Sequence, residues 1–372
     1  MNDAISPDQL MRSVLQRIAT GPELSKDISL AEARDVMTAV LDENVDAVRA
    51  GVFLIALRMK RETDDELRGV LQAVRDATSR AVASVDEVVD IVDPYDGFNR
   101  NLLVSPFLPA VLAACGVASF SHGVPSVGPK YGATHARVLS AAGVNVDRTP
   151  AEVSQQLSAP GIGWGYVDQK AFCPKLHNLI GLRDLIVKRP SITTVEVLAG
   201  PVTGLRKTHF MTGYVHKPYP RIYALLARHA GFDSALLVRG IEGGITPSLS
   251  QKSKVWRYDN GADESDVDIE PAQLGIERTS RGVPLPEGIT GYRRKSDDGS
   301  EAIDAPAMAT AAAAAGLAAL NNEPGPARDS LIYAGSLCLW HVGKTAGPAQ
   351  AGELVRKTLA SGKALSHFTA GQ

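Results

Sequence analysis

The chain of 372 residues carries 39 Lys and Arg against 41 Asp and Glu, which gives a formal net charge of −2. That near-neutral balance argues against a basic nucleic-acid module, although a local basic groove stays open. The 3 cysteines have no CxxC spacing, so neither a disulfide framework nor a structural zinc site is expected. The start lacks the basic residues and apolar run of a signal peptide, and no apolar stretch is as long as a membrane span. We therefore expect a soluble, cytoplasmic protein of one large or two medium domains, without membrane contact.

Residues 1–86 are predicted to form mainly helices, about four in number. Ser29 with Glu32, and Thr63 with Glu66, match the capping box that begins a helix. Between these boxes, residues 45–57 are apolar nearly all round, a pattern typical of a buried helix. No cluster of ligand-like side chains occurs here, so we interpret the segment as scaffold or as an oligomer surface.

From residue 88 onward, short strands alternate with helices. Strands are predicted at residues 88–92, 117–120 and 235–239. This alternation predicts an α/β protein with a mostly parallel central sheet whose faces are covered by helices. In such sheets, ligands bind at the loops that follow the carboxyl ends of the strands. The loops in question are residues 93–105, 122–132 and 239–247.

Two of these loops carry residue types that hold anions. One supplies several glycines and Lys130, and the other supplies Asn99, Arg100 and Asn101. Backbone N–H groups beside a helix start, together with such side chains, form a phosphate cradle. Neither loop is a Walker A loop or a GxGxxG fingerprint, so a plain structural turn is the alternative interpretation. The residues alone predict an α/β protein with an anion-binding cleft.

The order of the segments resembles the anthranilate phosphoribosyltransferase family over nearly the whole chain. Asp90-Ile-Val92 and Asp96-Gly97 stand where that family has DIVGTGGDG, and residues 121–132 stand where it has KHGNRSVSSKSG. Leu198-Ala-Gly-Pro201 resembles its NLLGP segment. No single piece is specific, but their collective order is.

The resemblance implies a particular domain organisation. A small helical domain would consist of residues 1–86 with a returning segment at about 172–192. A large α/β domain with a mostly parallel central sheet would consist of residues 87–372, without that segment. The ligand cleft would lie between the two domains, and a homodimer would form through the helical domain.

The residues and the resemblance together give a set of candidate site residues, although no catalytic residue is assigned. The phosphate or ligand cleft is predicted to contain Asp96, Gly97, Asn99, Arg100, Ser105, His122, Gly123 and Lys130. His177 and Arg183 match the acceptor side of the family, where an arginine can meet a carboxylate. No cofactor is assigned with certainty; Mg²⁺ is a candidate only if the chain is active, and Asp96 and Glu242 are the candidate ligands of a replacement metal site, whose convergence the sequence leaves open.

We also expect a single concavity that receives the side chains of Asn99, Arg100, Asn101, Ser105, His122 and Lys130. Arg100 and Lys130 would replace a lysine that the family has and this chain lacks. Ser105 would donate its hydroxyl to a phosphate oxygen.

Several positions depart from the family pattern. The lysine, asparagine and arginine of KHGNR are Ser121, Val124 and Pro125, and the acidic pair that holds Mg²⁺ falls at Ile245 and Thr246. A magnesium–diphosphate site needs hard oxygen ligands, which these side chains do not offer in the required number and charge. Repulsion from Asp93 and Asp96 is expected to oppose an unmetallated diphosphate. These departures predict weak or no binding of phosphoribosyl diphosphate, and better tolerance of a monophosphate, sulfate or nucleic-acid backbone.

Two functions are compatible with this pattern. The first is a phosphoribosyltransferase-like enzyme of the glycosyltransferase class that acts on a phosphorylated sugar and an aromatic or nucleobase-like acceptor. The second follows from the departures, which resemble a branch of divergent paralogues that includes nucleic-acid-binding homodimers. The cations of the second function would be Arg206, Lys207, Lys217, Arg221, Lys252, Lys254, Arg257, Arg293, Arg294 and Lys295.

Overall fold

The computed structural model describes residues 6–21, 23–292 and 303–372. Its N-terminal part is a bundle of the helices α1 Pro7–Ile18, α2 Leu30–Leu41, α3 Ala47–Lys60 and α4 Asp64–Asp76. The capping boxes predicted at Ser29 and Thr63 are both present and begin α2 and α4. These two helices approach closely at Gly69, where a Cβ atom would collide with the carbonyl oxygen of Leu30.

The prediction of a fully buried helix at residues 45–57 is wrong for one face of α3. Phe53 and Leu54 are buried in the bundle, whereas Val48 is 76% exposed and Met59 is 73% exposed. The bundle supplies neighbours on one side of α3, and the apolar residues of the opposite side stay at the surface of the chain.

The larger part of the chain is built on a seven-stranded sheet with the strand order β4-β3-β2-β6-β7-β8-β9. Its strands are β2 Glu87–Val92, β3 Ser119–Gly123, β4 Trp164–Asp168, β6 Lys207–Tyr214, β7 Ser234–Arg239, β8 Ser253–Asp259 and β9 Ser265–Ile269. The five neighbouring strands β4, β3, β2, β6 and β7 are parallel, and β8 and β9 add an antiparallel hairpin at one edge of the sheet. A separate two-stranded sheet pairs β1 Ala81–Val82 with β5 Val202–Thr203. The predicted α/β fold class, a helical domain beside a mostly parallel sheet, is confirmed.

Helices cover both faces of the sheet. They are α5 Leu108–Ala114, α6 His135–Ala141, α7 Pro150–Ser158, α8 Gln169–Phe172, α9 Pro174–Asn178, α10 Ile180–Ile186, α11 Ile192–Val195, α12 Tyr219–His229, α13 Ala305–Leu320, α14 Pro326–His341, α15 Pro348–Ala360 and α16 Lys363–Ala370. Along β2, Val89 and Ile91 join the apolar cluster of α5 and the C-terminal helices, while Val88 and Val92 join the cluster of the bundle. Successive side chains of a strand point to opposite faces, so one strand contributes to both cores.

The returning segment predicted at about 172–192 contains α9 and α10. Leu176 and Leu179 belong to the same apolar cluster as the helical bundle, and Gly51 of α3 lies against Leu182 of α10. The division into domains at residues 86 and 87 stays a prediction.

Within the described ranges, no helix combines the length and apolar content that crossing a membrane requires. The cytoplasmic location stays a prediction.

Candidate functional site

The parallel strands of the sheet end at a cleft of about 1310 Å³. Loops that follow β2, β6 and β7 form one wall, and they include Pro94, Val215 and Gly243. Arg58 of the bundle and Arg189 of the segment after α10 contribute to the opposite side. The cleft therefore lies where the sequence analysis expects ligands, between the helical bundle and the carboxyl ends of the strands.

The charged side chains that line this cleft are mostly cationic. They are Arg58, Arg100, Lys130, Arg137, Arg189 and Arg281, and Glu242 is the one carboxylic acid among the described lining residues. The whole chain carries a net charge of −2, so positive charge is concentrated here. Such a cleft attracts anionic ligands.

Asp96 lies beneath the floor of the cleft and holds two of its cations. Its side chain is fully buried, with Oδ2 2.6 Å from Arg189 Nη2 and Oδ1 3.3 Å from Lys130 Nζ. Two positive charges against one negative charge leave this side of the cleft cationic. Gly97, which follows, has a φ of +75° and packs against the backbone of Ala133, where a Cβ atom would collide. Asp96 therefore positions ligand-facing cations, and Gly97 permits the turn.

Glu242 joins the loop after β7 to the loop after β2. Its carboxylate accepts hydrogen bonds from the backbone N–H groups of Asn99 and Arg100, each at 3.0 Å, and from Asn101 Nδ2 at 3.1 Å. Glu242 has a φ of 52°, an uncommon conformation for a residue with a side chain. The three hydrogen bonds fix the loop that carries Arg100 at the rim of the cleft.

Asp93 and Ser105 lie inside the protein and do not line the cleft. Asp93 Oδ2 accepts a hydrogen bond from the Ser105 hydroxyl and is 2.7 Å from His135 Nε2, while Oδ1 accepts from the Ile245 N–H at 2.7 Å. Burial alone would raise the pKa of Asp93, but His135, Ser105 and the Ile245 N–H together lower this pKa below its ordinary value of 3.8. The predicted donation of Ser105 to a ligand phosphate is not supported by this structure, because its hydroxyl donates to Asp93.

The predicted repulsion of a diphosphate by Asp93 and Asp96 is not supported by their positions. Both side chains are at most 1% exposed; Asp96 is ion-paired with Lys130 and Arg189, and the Asp93 carboxylate is hydrogen-bonded within the protein. Neither presents an unpaired negative charge to the cleft.

His122 and Gly123 are also buried, because β3 extends to residue 123 and includes them. The His122 side chain contacts the Tyr95 hydroxyl through Nδ1, and its Nε2 is 3.1 Å from Asp90 Oδ1. Burial raises the pKa of Asp90, an effect that His122 and Arg75 partly oppose. His122 and Gly123, which were predicted to line the ligand cleft, therefore lie outside its lining in this structure.

The predicted acceptor-side residues do not line the cleft either. Arg183 forms a bidentate ion pair with Glu196, at 2.6 and 2.9 Å, and both side chains are buried. Its guanidinium is thus engaged by the protein and not open to a ligand carboxylate. His177 is half-buried on α9, where burial lowers its pKa and nearby Asp168 partly offsets this effect.

The structure therefore brings part of the predicted set together. Asn99, Arg100, Asn101 and Lys130 line the cleft with Glu242, and Asp96 and Gly97 lie directly beneath this group. Ser105, His122, Gly123, His177 and Arg183 are elsewhere.

Sequence reasoning did not find several residues of this site. The missed cations are Arg58, Arg137, Arg189 and Arg281, and the missed aromatic lining residues are Tyr131, Tyr214, Tyr219, Tyr223 and Tyr292. They come from separate parts of the chain, and no motif marks them. The Lys188-Arg189-Pro190 segment is the only local signal, a basic pair after α10.

The residues of the site do not fit a bound Mg²⁺. Mg²⁺ takes hard oxygen ligands in nearly octahedral geometry. Asp96 is ion-paired with Lys130 and Arg189, with its buried Oδ1 making no hydrogen bond to a described residue, and Glu242 accepts from three N–H donors. No group of three or more His, Cys, Asp and Glu side chains in the described ranges could hold a metal ion. The replacement metal site at Asp96 and Glu242 is therefore not supported by this structure.

The surface cations predicted to contact nucleic acid are largely paired with acids. Arg206 lies 3.8 Å from Asp86, Arg221 lies 2.7 Å from Asp64, and Lys252 lies 3.2 Å from Asp268. Lys254 pairs with Asp266, and Arg257 stacks on the Trp340 ring. Arg293, Arg294 and Lys295 lie outside the described residues. Four of the seven described cations of this set are thus ion-paired, and nothing in the described residues supports the nucleic-acid-binding alternative.

Comparison with known proteins agrees with this architecture. The helical bundle domain of a glycosyl transferase family matches residues 12–78, and the α/β domain of that family matches residues 88–283. The chain is similar to the anthranilate phosphoribosyltransferase of Nitrosomonas europaea, with 28% identity over 91% of each chain. It is also similar to that of Rhodococcus jostii, with 30% identity over 75% of this chain and 73% of the relative.

Solved structures give the same result for the fold. Anthranilate phosphoribosyltransferase from Thermus thermophilus superposes with a TM-score of 0.73 at 20% identity, over 97% of this chain and 98% of that one. The Saccharomyces cerevisiae enzyme superposes with a TM-score of 0.75 at 15% identity, over 97% and 96%. Together with the two domain matches, these similarities show that the chain belongs to the anthranilate phosphoribosyltransferase family of glycosyl transferases.

Proposed function

We propose that this chain is a phosphoribosyltransferase-like protein that binds a phosphorylated small molecule in the cationic cleft. The observation that carries the proposal is the charge of the lining, with six Arg and Lys side chains and Glu242 as the single described carboxylate. The Glu242 carboxylate is itself occupied by N–H donors from residues 99–101. A phosphate, with several acceptor oxygens and a double negative charge, is complementary to such a surface.

The known relatives support this class of ligand. One solved structure of the Saccharomyces cerevisiae enzyme is a complex with PRPP (phosphoribosyl diphosphate) and Mg, and another is a complex with 4-fluoroanthranilate. In this chain, tyrosines such as Tyr214, Tyr219 and Tyr223 line the cleft beside the cations. Aromatic rings give a planar acceptor a surface to stack on, so we extend the proposal to an aromatic or nucleobase-like acceptor.

A thermal melting experiment tests the binding proposal. Ribose 5-phosphate should raise the melting temperature, because a ligand that binds only the native state stabilises it, whereas ribose should have no effect. The Arg281→Gln variant, which removes a cleft cation, should reduce the shift. Arg206→Gln, which removes an arginine that is 76% exposed and does not line the cleft, is the matched control. No shift with either ribose 5-phosphate or phosphoribosyl diphosphate at millimolar concentration would contradict the proposal.

We expect the ordinary anthranilate reaction to be slow in this chain. The acidic pair of the family stands at Ile245 and Thr246, and Ile245 is buried in the core. Loss of a metal that stabilises charge in the transition state removes several kcal/mol, which corresponds to about a hundredfold or more in rate. Phosphoribosyl anthranilate formation can be measured in parallel with the Nitrosomonas europaea relative. Equal rates for the two proteins would contradict this expectation.

We further propose a homodimer that forms through an exposed apolar face of the helical bundle. This α3–α10 face consists of Val48, Val52, Leu185 and Val187, which are 41–80% exposed. Exposed apolar clusters of this kind mark association surfaces. Sedimentation should give a dimer for the wild type and a monomer for Val48→Asp with Leu185→Asp. Leu205→Asp, at an exposed leucine outside this face, should leave the dimer intact, and a monomeric wild type at micromolar concentration would overturn this proposal.

A further inference from the structure

We propose that the cleft binds the phosphoryl groups of its ligand with arginine and lysine side chains alone, without a divalent metal ion. This inference rests on the proposed function, since it concerns the same ligand in the same cleft. It differs from the Saccharomyces cerevisiae relative, whose solved complex contains PRPP and Mg. The carboxylates of the cleft decide whether a metal ion has protein ligands.

Each of the three carboxylates near the ends of β2 and β7 already has partners that compete with a metal. Asp93 is held by His135, Ser105 and the Ile245 N–H. Asp96 is ion-paired with Arg189 through Oδ2 and with Lys130 through Oδ1, although Oδ1 makes no hydrogen bond within the described ranges. Glu242 accepts from three N–H groups, two of them backbone donors that have no other acceptor among the described hydrogen bonds. A metal ion would have to displace cations or leave N–H donors unpaired, and both cost free energy.

The position of the missing acidic pair is filled by the protein core. Ile245 is fully buried and Thr246 is 9% exposed. The Ile245 N–H donates to Asp93 Oδ1 at 2.7 Å, so the backbone here is tied inward to a buried carboxylate. The loop that would carry metal ligands thus serves as an internal anchor between β2 and β7.

Cations stand where they can supply the positive charge that a metal ion would otherwise bring. The Arg100 guanidinium lies 4.8 Å from the centre of the Tyr292 ring, and Lys130 Nζ lies 5.8 Å from the centre of the Phe98 ring. Stacking orients a guanidinium by its face and leaves its N–H edge for ligand oxygens. A planar guanidinium edge matches two phosphate oxygens at once.

Arg189 adds a third positioned cation. Its Nη2 donates to Asp96 at 2.6 Å, and the side chain remains 41% exposed at the cleft. Asp96 acts on Arg189 and Lys130 together, which makes it a positioning residue for both. Three cations fixed in this way give a ligand phosphate charge and direction without a metal ion.

Isothermal titration calorimetry with phosphoribosyl diphosphate, in excess EDTA and in excess magnesium chloride, tests this inference. We expect dissociation constants that agree within less than tenfold in the two buffers, tenfold being about 1.4 kcal/mol. Arg100→Gln should weaken binding about tenfold in both buffers, as expected for the loss of one charge-assisted contact. Arg206→Gln should change neither value.

The outcomes separate the inference from the function on which it rests. Binding that is tenfold or more tighter with magnesium would overturn the metal-free inference and leave the proposed function intact. Absence of heat in both buffers, together with no melting shift from ribose 5-phosphate, would overturn the proposed function itself. Circular dichroism shows whether the Arg100→Gln variant is folded. Arg281→Gln is a second cleft variant, and we expect it to weaken binding in both buffers as well.

Discussion

The carboxylate of Glu242 accepts a hydrogen bond from the backbone N–H of Arg100 at 3.0 Å, so the loop after β7 holds the loop after β2. The same carboxylate accepts from the Asn99 N–H at 3.0 Å. These hydrogen bonds fix the backbone position of Arg100. They thereby place one of the cations at the rim of the cleft. The loop geometry and the charge of the site thus depend on one residue.

Removal of this carboxylate should destabilise the chain and weaken ligand binding. Glu242→Ala removes the acceptor of two backbone donors, one part-buried and one exposed to water, which costs about 1 kcal/mol. Glu242→Gln keeps one acceptor oxygen, so its free energy of unfolding should fall less than that of Glu242→Ala. Urea unfolding measures the free energy of unfolding of both variants. An alanine variant as stable as the wild type would contradict the anchoring role.

Arg183 should prove to be a structural residue. It forms a buried bidentate pair with Glu196, and removal of one partner from such a pair costs about 3–5 kcal/mol because the other charge is left unpaired. Arg183→Met should therefore lower the free energy of unfolding by this amount. The double variant Arg183→Met with Glu196→Leu should recover most of the loss. If the single variant kept its stability but lost ligand binding, Arg183 would instead belong to the ligand site.

Asp93 should contribute an acid-sensitive part of the stability. Its pKa is lowered below 3.8 in the folded protein, so its contribution is present above that value and is lost as the pH falls through the folded pKa. Asp93→Asn should cost about 3 kcal/mol at pH 7. The difference from the wild type should shrink as the pH falls below 3.8. Asp263→Asn, at an exposed aspartate, is the control, and a difference that stays constant down to pH 3 would contradict the assignment.

His341 should make the stability fall as the pH decreases from neutrality. Burial, with smaller contributions from Arg257 and His209, lowers its pKa well below 6.5, and Nε2 is 2.9 Å from the Ser234 hydroxyl. The unfolded chain therefore takes up a proton below pH 6.5 that the folded chain does not. The uptake of one such proton lowers the free energy of unfolding by about 1.4 kcal/mol for each pH unit.

Substitution of His341 separates this effect from other titrations. His341→Gln should flatten the dependence of the free energy of unfolding on pH between about 6.5 and 5. His216→Gln, at an exposed histidine, should leave the slope unchanged. Identical slopes for the His341 variant and the wild type would show that this histidine does not carry the effect.

The sequence predicted the parts of the fold that depend on local patterns. The capping boxes at Ser29 and Thr63 begin helices as expected, because a cap needs only residues within one turn. The strand predicted at residues 117–120 lies at Ser119–Gly123, so it begins two residues later and ends three residues later than expected. That shift moves His122 from a loop into the core and out of the cleft lining.

The candidate site was harder to predict because it is assembled from distant segments. Lys130 and Arg189 meet at Asp96, and Arg100 joins them in lining the cleft, only after the bundle and the sheet are in place. Long cationic side chains carry no local pattern that indicates their direction. Arg183 does match a family motif, but that match gave no information on its buried partner Glu196. A motif alone therefore did not indicate the contacts of this side chain.

A crystal structure with phosphoribosyl diphosphate, grown without divalent metal ions, tests the central claim most directly. We expect phosphate density in the cleft, within hydrogen-bond distance of Lys130, Arg189 or Arg100. Asp96 should still be paired with Lys130 and Arg189. Phosphate density at another surface, or a cleft that binds the ligand only when a metal ion bridges it to Asp96 or Glu242, would contradict the account.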